Sequence, residues 1–555
     1  MRKALVIGLD GGTFDLLLPL IEKGEMPALK ALMDAGVWGR LRTVVPPGTG
    51  PAWSSIVTGL DPSNHGIADL IVRAETSYDL AFLNGSSLRA PAIWDIVGHF
   101  GGKVLVLNVP MTYPPREVNG YMVTGLTTPL GSTECTYPPV FFDTIRTIEP
   151  SYRIVPDQAY VPGRADAFLD EVTAILKIKG RVLRELLKQV DWAFAMQVFS
   201  ETDFLQHALW HLIDPAHPRY RAKDAKKYGR RIVDFYKTID TMLADVTESV
   251  GEDVPVIVLS DHGAGPLHEF IHANNLFLKQ GVLKVRRSLR SWLKYAFFRA
   301  GLTPLNVYRV GAAAKLGKVR MGLRWTSKGY GLLRRFFFSF SDIDWERSTA
   351  YAMSGGVYGG VFINLKGREP SGVVPQEEYE RTRDSLRSML VGVRHPGTGK
   401  PLMKQVVMRE EIYKGKYLGE LPDLYFLPSE PTQAVFGDFE FSSNKVVEAA
   451  SHAISAQHRM DGILIAKGPG IKRGAEVKDL TVLDTVPLVL YLMGLPIPEG
   501  LDGKLPVGII DQAEIARRPP AYFKMEDTPV PPRGQRQTTD DESIKQRLKG
   551  LGYIS

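Results

Sequence analysis

Five short apolar runs, each cut off abruptly by polar residues, constrain this chain more than any other feature. They are Ala4–Leu9, Val104–Val109, Trp192–Phe199, Val254–Leu259 and Gly462–Ala466. Runs of about four to eight apolar residues with sharp ends read as strands buried on both faces. Helical patterns lie between them, clearest at Lys226–Val250 and at Leu483–Gly494, where Gly494 and Pro496 supply the stop. Strands alternating with helices predict an α/β fold with a mainly parallel sheet covered by helices on both faces. In an open sheet of that kind, ligands bind beyond the carboxyl ends of the strands.

Composition removes several other classes. With 44% hydrophobic and 23% charged residues in 555, the chain has the balance of an ordinary globular protein rather than a disordered or collagenous one. Cys135 is the single cysteine, which excludes an intrachain disulfide and a thiolate metal cluster. No apolar run approaches the roughly 18–20 residues of a membrane helix. Met1-Arg2-Lys3 and the apolar stretch after it imitate the start of a signal peptide. Asp10-Gly11-Gly12 ends that stretch without a small-residue cleavage site, so it reads as the first strand. These features set the expectation of a soluble cytoplasmic protein, with a peripheral membrane position left open by the basic segment described below.

Three of the predicted strands run into acidic residues. Ala4–Leu9 leads to Asp10, Trp192–Phe199 to Glu201 and Asp203, and Val254–Leu259 to Asp261-His262. An Asp after a strand commonly caps the next helix. Carboxylates gathered on one sheet edge instead repel one another unless a cation sits among them. Asp203 and His207 stand four apart, so on a helix they share one face and can reach one ion, with His211 a further four along. In Ser260-Asp261-His262-Gly263, a turn at the strand end can bring both side chains onto one ion, and Gly263 lets the chain swing away. Pro46-Pro47-Gly48-Thr49-Gly50-Pro51-Ala52 crowds Gly and Pro around one hydroxyl before a helix predicted over Ala52–Thr58 and closed by Gly59. Thr49 is expected as its N-cap, either as a plain cap or beside an anion held at the helix start.

Taken in order, these segments resemble the alkaline phosphatase superfamily, and within it the type I phosphodiesterase/nucleotide pyrophosphatase-like branch. The resemblance rests on Val6-Ile7-Gly8-Leu9-Asp10-Gly11, on Thr49 followed by Thr58-Gly59-Leu60, and on Pro62-Ser63-Asn64-His65-Gly66-Ile67. Asp203 with His207, Asp261-His262-Gly263 and a final His458 complete the set over residues 1–270 and 345–510. It implies an alkaline-phosphatase-like core with two Zn²⁺ ions, Mn²⁺ being the alternative. One ion would be held by Asp203, His207 and His458; the other by Asp10, Asp261 and His262, with Thr49 bound to the second. Thr49 would then be the nucleophile of an in-line displacement on a small-molecule phosphate ester, giving a phospho-threonine that water hydrolyses. A phosphodiesterase or pyrophosphatase is the first expectation. A phosphomonoesterase or a phosphotransferase/mutase on the same site is the alternative within enzymes, and a non-catalytic protein binding anionic lipid or polymer is the alternative outside them.

The chain departs from that pattern in one place. Phosphodiesterases of this branch carry an Asn shortly after His-Gly-Ile, whereas His65-Gly66-Ile67 continues as Ala68-Asp69-Leu70. A sulfatase is excluded, because Cys135 continues as Thr136-Tyr137-Pro138 without the required Pro-x-Arg. A dinucleotide fingerprint is excluded by Asp10 in place of the second glycine.

The formal charge of +7 is not spread evenly. Residues 270–341 hold 15 Lys+Arg and no Asp or Glu, so the remainder carries 68 − 15 = 53 basic against 61 acidic residues, a balance of −8. That excludes nucleic acid as a partner wrapped over the whole surface. Residues 270–344 are therefore expected as a basic helical insertion or cap between core segments 1–269 and 345–510, with 511–555 an extended arm ending in a helix. Within it, Leu289, Trp292, Leu293, Ala296 and Phe297 share one helical face. That face either docks on the core or lies on an anionic membrane surface.

Overall fold

The computed structural model describes residues 1–157, 160–313, 335–353, 356–437, 441–450 and 454–525. A central sheet forms from β1 (Ala4–Leu9), β2 (Val37–Arg42), β3 (Val104–Val109), β4 (Gly120–Thr124), β5 (Thr136–Tyr137), β6 (Phe194–Phe199), β7 (Val256–Leu259) and β8 (Asp461–Lys467), with short strands at 475–476 and 480–481 at one edge. The order across it is β2-β8-β7-β1-β6-β3-β4-β5. The block β7-β1-β6-β3-β4 is parallel. β8, expected among the parallel strands, instead runs antiparallel to both β7 and β2.

β1 shows why these runs become central strands. All six of its residues are buried, and they alternate between two cores. Leu5, Ile7 and Leu9 join one hydrophobic cluster, and Ala4 and Val6 join the other. Successive side chains of a strand point to opposite faces, so a strand covered on both sides must be apolar throughout. The first face is covered by α2 (Ala165–Gln189), α3 (Glu201–Leu209) and α4 (Ala222–Val250), the other by α1 (Thr49–Thr58) and the helix Thr485–Met493. This is the alkaline-phosphatase-like arrangement.

Residues 269–449 build a second layer. Strands Ala350–Ala352, Gly359–Ile363, Leu424–Pro428 and Met403–Met408 form one small sheet, and Glu269–His272 pairs with Gln433–Phe436 and Val447–Ala449 in another. The basic segment shares one hydrophobic cluster with this layer, through Phe277, Phe298, Phe338 and Phe340 against Tyr351, Val361 and Phe426. Within it, α5 (Leu289–Arg299) presents the reverse of an ordinary surface helix. Ser291, Lys294 and Phe298 face inward, and the apolar face named above is exposed, so it does not dock on the core. The end of the C-terminal arm, with its predicted helix, lies outside the described residues, as do 314–334. Among the described residues, no helix is long and apolar enough to cross a membrane.

Candidate metal centre

Topology gathers the acidic strand ends. β7, β1 and β6 are adjacent and parallel, with Leu9 level with Phe199 and Gly8 level with Leu259. The residues just beyond them, Asp10, Asp203 and Asp261-His262, therefore emerge on one edge. His458 arrives from elsewhere. Gly263–Pro266, leaving His262, pairs antiparallel with Ala456–Arg459 and sets His458 opposite Ala264. Asp203 and His207 sit on α3, one turn apart. Thr49 opens α1, but as its first helical residue: Gly48 is the extended N-cap (φ −153°, ψ 148°). The expected N-cap role of Thr49 is thus taken by Gly48, and Pro51 at the third helical position is compatible with this start because an N–H there would have no partner within the helix.

Asp203, His207 and His458 offer ligand atoms within 4.8 Å of one another, and so do Asp10, Asp203 and His262. Asp203 Oδ1 lies 3.3 Å from His207 Nε2 and 3.7 Å from His458 Nε2. His262 Nε2 lies 3.2 Å from Asp261 Oδ2, 3.7 Å from Asp10 Oδ1 and 3.4 Å from Thr49 Oγ1. All seven residues are buried. His211, left open by its spacing, lies in the turn Trp210–Leu212 and joins neither group.

The imidazoles are oriented for a cation. Nδ1 of His207, His262 and His458 lies 2.8–3.0 Å from the main-chain carbonyls of Ala456, Gly263 and Pro47. A carbonyl only accepts, so each Nδ1 carries the proton and each Nε2 turns a lone pair inward. Two of those nitrogens, Nε2 of His207 and Nε2 of His458, are only 3.0 Å apart. Asp10 Oδ1 and Asp261 Oδ2 are buried without a hydrogen-bond donor. Converging lone pairs and carboxylate oxygens in a buried site are stable only around positive charge. The residues fit metal ions, and an all N/O set with imidazoles suits zinc or manganese.

The same crowding acts on the acid–base balance of these groups. Burial, and then the charges of Asp261 and Asp203, push the Asp10 carboxyl well above its usual range. Burial likewise raises Asp261. Burial also opposes ionisation of Asp203, but the neighbouring His207 and His458 outweigh it and hold Asp203 low. His458 is held well below the ordinary imidazole value by burial and by His262.

Several further residues complete the site, and of these only Gly11 belongs to a quoted motif. Trp53 Nε1 and Ser200 Oγ each donate to Asp10 Oδ2 at 3.3 Å, and the Gly11 amide donates to Asp261 Oδ1 at 3.2 Å. Gly11 has φ +67°, and a Cβ there would stand 2.9 Å from Asp203 Oδ1, so the position accepts only glycine. One turn along α1 from Thr49, Trp53 was the legible signal.

Residues 4–440 match the family model for type I phosphodiesterase / nucleotide pyrophosphatase. The chain belongs to that family. Every site residue except His458 lies inside the match. As a family member it is a phosphoric ester hydrolase. The fold is similar to phosphonoacetate hydrolase from Sinorhizobium meliloti 1021, solved with phosphonoacetate, at TM-score 0.53 and 15% identity over 89% of this chain and 95% of that one. It is also similar to human ectonucleotide pyrophosphatase/phosphodiesterase 5, at TM-score 0.50 and 13% identity over 92% and 100%. The inactive threonine-to-alanine form of the murine protein, solved with AMP, gives the same score, identity and coverage. No curated protein matches by sequence.

The family's His-Gly-Ile segment here serves structure. His65 is fully buried; Nδ1 accepts from the Ile67 amide at 3.1 Å, and Nε2 therefore donates to Ser55 Oγ at 2.9 Å, tying the segment to α1. Leu70 packs on Gly50, where a Cβ would meet it at 3.0 Å. Asn64 is turned away, donating to Asp502 Oδ2 at 2.9 Å. Burial lowers His65 from 6.5 to about 3. Because the folded value is depressed, the stability linked to it is complete above the unfolded value and is lost as pH falls from about 6.5 towards about 3. At pH 5 the loss is about 2 kcal/mol. Urea unfolding should therefore show the gap between wild type and His65→Gln narrowing by that amount from pH 7 to pH 5.

Proposed function

We propose that this family member is a two-zinc phosphodiesterase acting on a small-molecule phosphate ester, with Thr49 as the nucleophile. The observation that carries the reading is the position of Thr49. Its hydroxyl stands 3.4 Å from His262 Nε2, at the edge of the ligand cluster and at the start of α1. The amides of Thr49 and Gly50 open that helix, and the first amides of a helix have no partner within it, so they suit the non-reacting oxygens of a phosphate. That supplies a group to stand where Leu70 replaces the family's Asn. The loss of activity named for the murine threonine-to-alanine protein supports a threonine in this role.

When bound, the metal ions would lower the pKa of the Thr49 hydroxyl and offset charge on the attacking and leaving oxygens. The chain's own residues do the rest. Trp53 and Ser200 fix Asp10, and the carbonyls of Pro47, Ala456 and Gly263 fix the three imidazoles. Thr49 gives up its hydroxyl proton and Oγ1 attacks phosphorus in line. Its bond to phosphorus forms as the bond to the leaving alkoxide breaks, and the alkoxide takes up one proton in exchange. Thr49 is then esterified to the phosphate, which keeps its other alcohol. Water then displaces Thr49 from the phospho-threonine, regenerating the hydroxyl and releasing a phosphate monoester.

The test compares zinc-loaded protein on bis-p-nitrophenyl phosphate and on p-nitrophenyl phosphate. A diester preference of about tenfold or more in kcat/KM is expected. A preference for the monoester would replace this reading with a phosphatase. Transfer of phosphate to an added alcohol in place of water would replace it with a phosphotransferase.

A further inference from the structure

The basic segment poses a question that the metal centre does not answer. Twelve large apolar side chains are exposed among the described residues, and six of them fall within Leu289–Phe336: Leu289 (78%), Trp292 (60%), Leu293 (50%), Phe297 (55%), Leu302 (48%) and Phe336 (65%). A concentration of that kind marks a surface that is covered in use.

The outward direction of these side chains is built in. On the inner side of α5, Ser291 Oγ donates to Asp342 Oδ1 at 2.9 Å and Lys294 Nζ donates to Asp342 Oδ2 at 3.0 Å, all three residues being buried. Phe298 packs there against Phe338 and Phe441. A helix that rotated its apolar face inward would strand a buried carboxylate without its cation. At about 3.6 residues per turn, Leu289, Trp292, Leu293, Ala296 and Phe297 form one continuous stripe. Arg290 and Arg299 fall on its two edges. Arg286, Arg287 and Arg335 are exposed nearby, and none of these five arginines makes an ion pair among the described residues.

We infer that α5 is an interfacial anchor that seats the protein on an anionic lipid bilayer. Trp, Phe and Leu on one face, bordered by arginine, match the boundary between acyl chains and negatively charged headgroups. The charge pattern selects this occupant over a protein surface. With 15 Lys+Arg and no acidic residue over 270–341, the segment complements a uniformly negative plane. The proposal is independent of the assignment of Thr49 or of the metal.

The test uses the full chain with vesicles of phosphatidylcholine alone or with about 30% phosphatidylglycerol. Wild type should float with the anionic vesicles, and raising NaCl to about 0.5 M should weaken that binding. Trp292→Ser with Phe297→Ser should reduce partitioning roughly tenfold or more without lowering the melting temperature, because both side chains are exposed. Arg290→Gln with Arg299→Gln should weaken binding to anionic vesicles and leave neutral ones unaffected. Brominated lipid should quench wild-type fluorescence more than that of Trp292→Phe. Three results would overturn the proposal: no binding by wild type, equal binding by the apolar double variant, or a dimer in solution that the same variant dissociates without vesicle binding.

Discussion

Thr49→Ala should lower turnover of a phosphodiester by about 10³-fold or more while leaving the bound metal nearly unchanged. The split between the two readouts follows from the geometry. Thr49 reaches the cluster only through one hydroxyl, 3.4 Å from His262 Nε2, whereas the carboxylates and imidazoles converge among themselves. Removing the hydroxyl removes the attacking atom and leaves the ligands in place. Thr49→Ser keeps the atom and should stay within about tenfold of wild type. The measurement pairs steady-state kinetics on bis-p-nitrophenyl phosphate with metal analysis. A loss of less than about tenfold in Thr49→Ala would remove Thr49 from the nucleophile role. A large loss accompanied by loss of metal would instead make it a ligand first.

Asp203→Ala should be the more damaging change to the metal centre. Asp203 belongs to both ligand groups, whereas His458 belongs to one. Metal content after zinc reconstitution should fall from about two ions per chain to below about one in Asp203→Ala, and by about one ion in His458→Ala. Activity should fall by about 10³-fold or more in both variants. Beyond the lost ligand, burial opposes the charge on His207, and the adjacent Asp203 is what keeps that imidazole's pKa raised. Two ions retained in Asp203→Ala would show that the two groups do not share this carboxylate.

Much of the metal centre was open to reading because its pieces are local. Asp10 and Asp261-His262 each follow an apolar run directly, and Asp203 and His207 are one helical turn apart. Local patterns of this kind are written by neighbours in the chain, so periodicity and strand ends expose them. The capping of α1 was less legible. Either Gly48 or Thr49 can precede a helix, and local pattern does not distinguish them; Trp53, one turn on, is tied to Asp10 only in the folded chain.

Other features depended on contacts between distant residues. The antiparallel direction of β8 follows from its pairing with β2 and β7, segments separated by about 200 residues or more. The second layer at 269–449 joins a strand at the start of the basic segment to strands beyond its end, which no local pattern announces. The stripe on α5 makes the same point through energetics. Its spacing is identical whether the face looks inward or outward, so periodicity alone leaves both open.

By itself, then, the sequence determined the α/β class and the strand ends and helical turn that carry the candidate ligand residues, because burial on both faces and helical spacing are encoded within single elements. Only the tertiary structure decided which carboxylate both ligand groups share and which way the apolar face of α5 points. The first depends on three adjacent strand ends meeting at one edge. The second depends on a buried Asp342 that must keep Lys294 and Ser291 beside it.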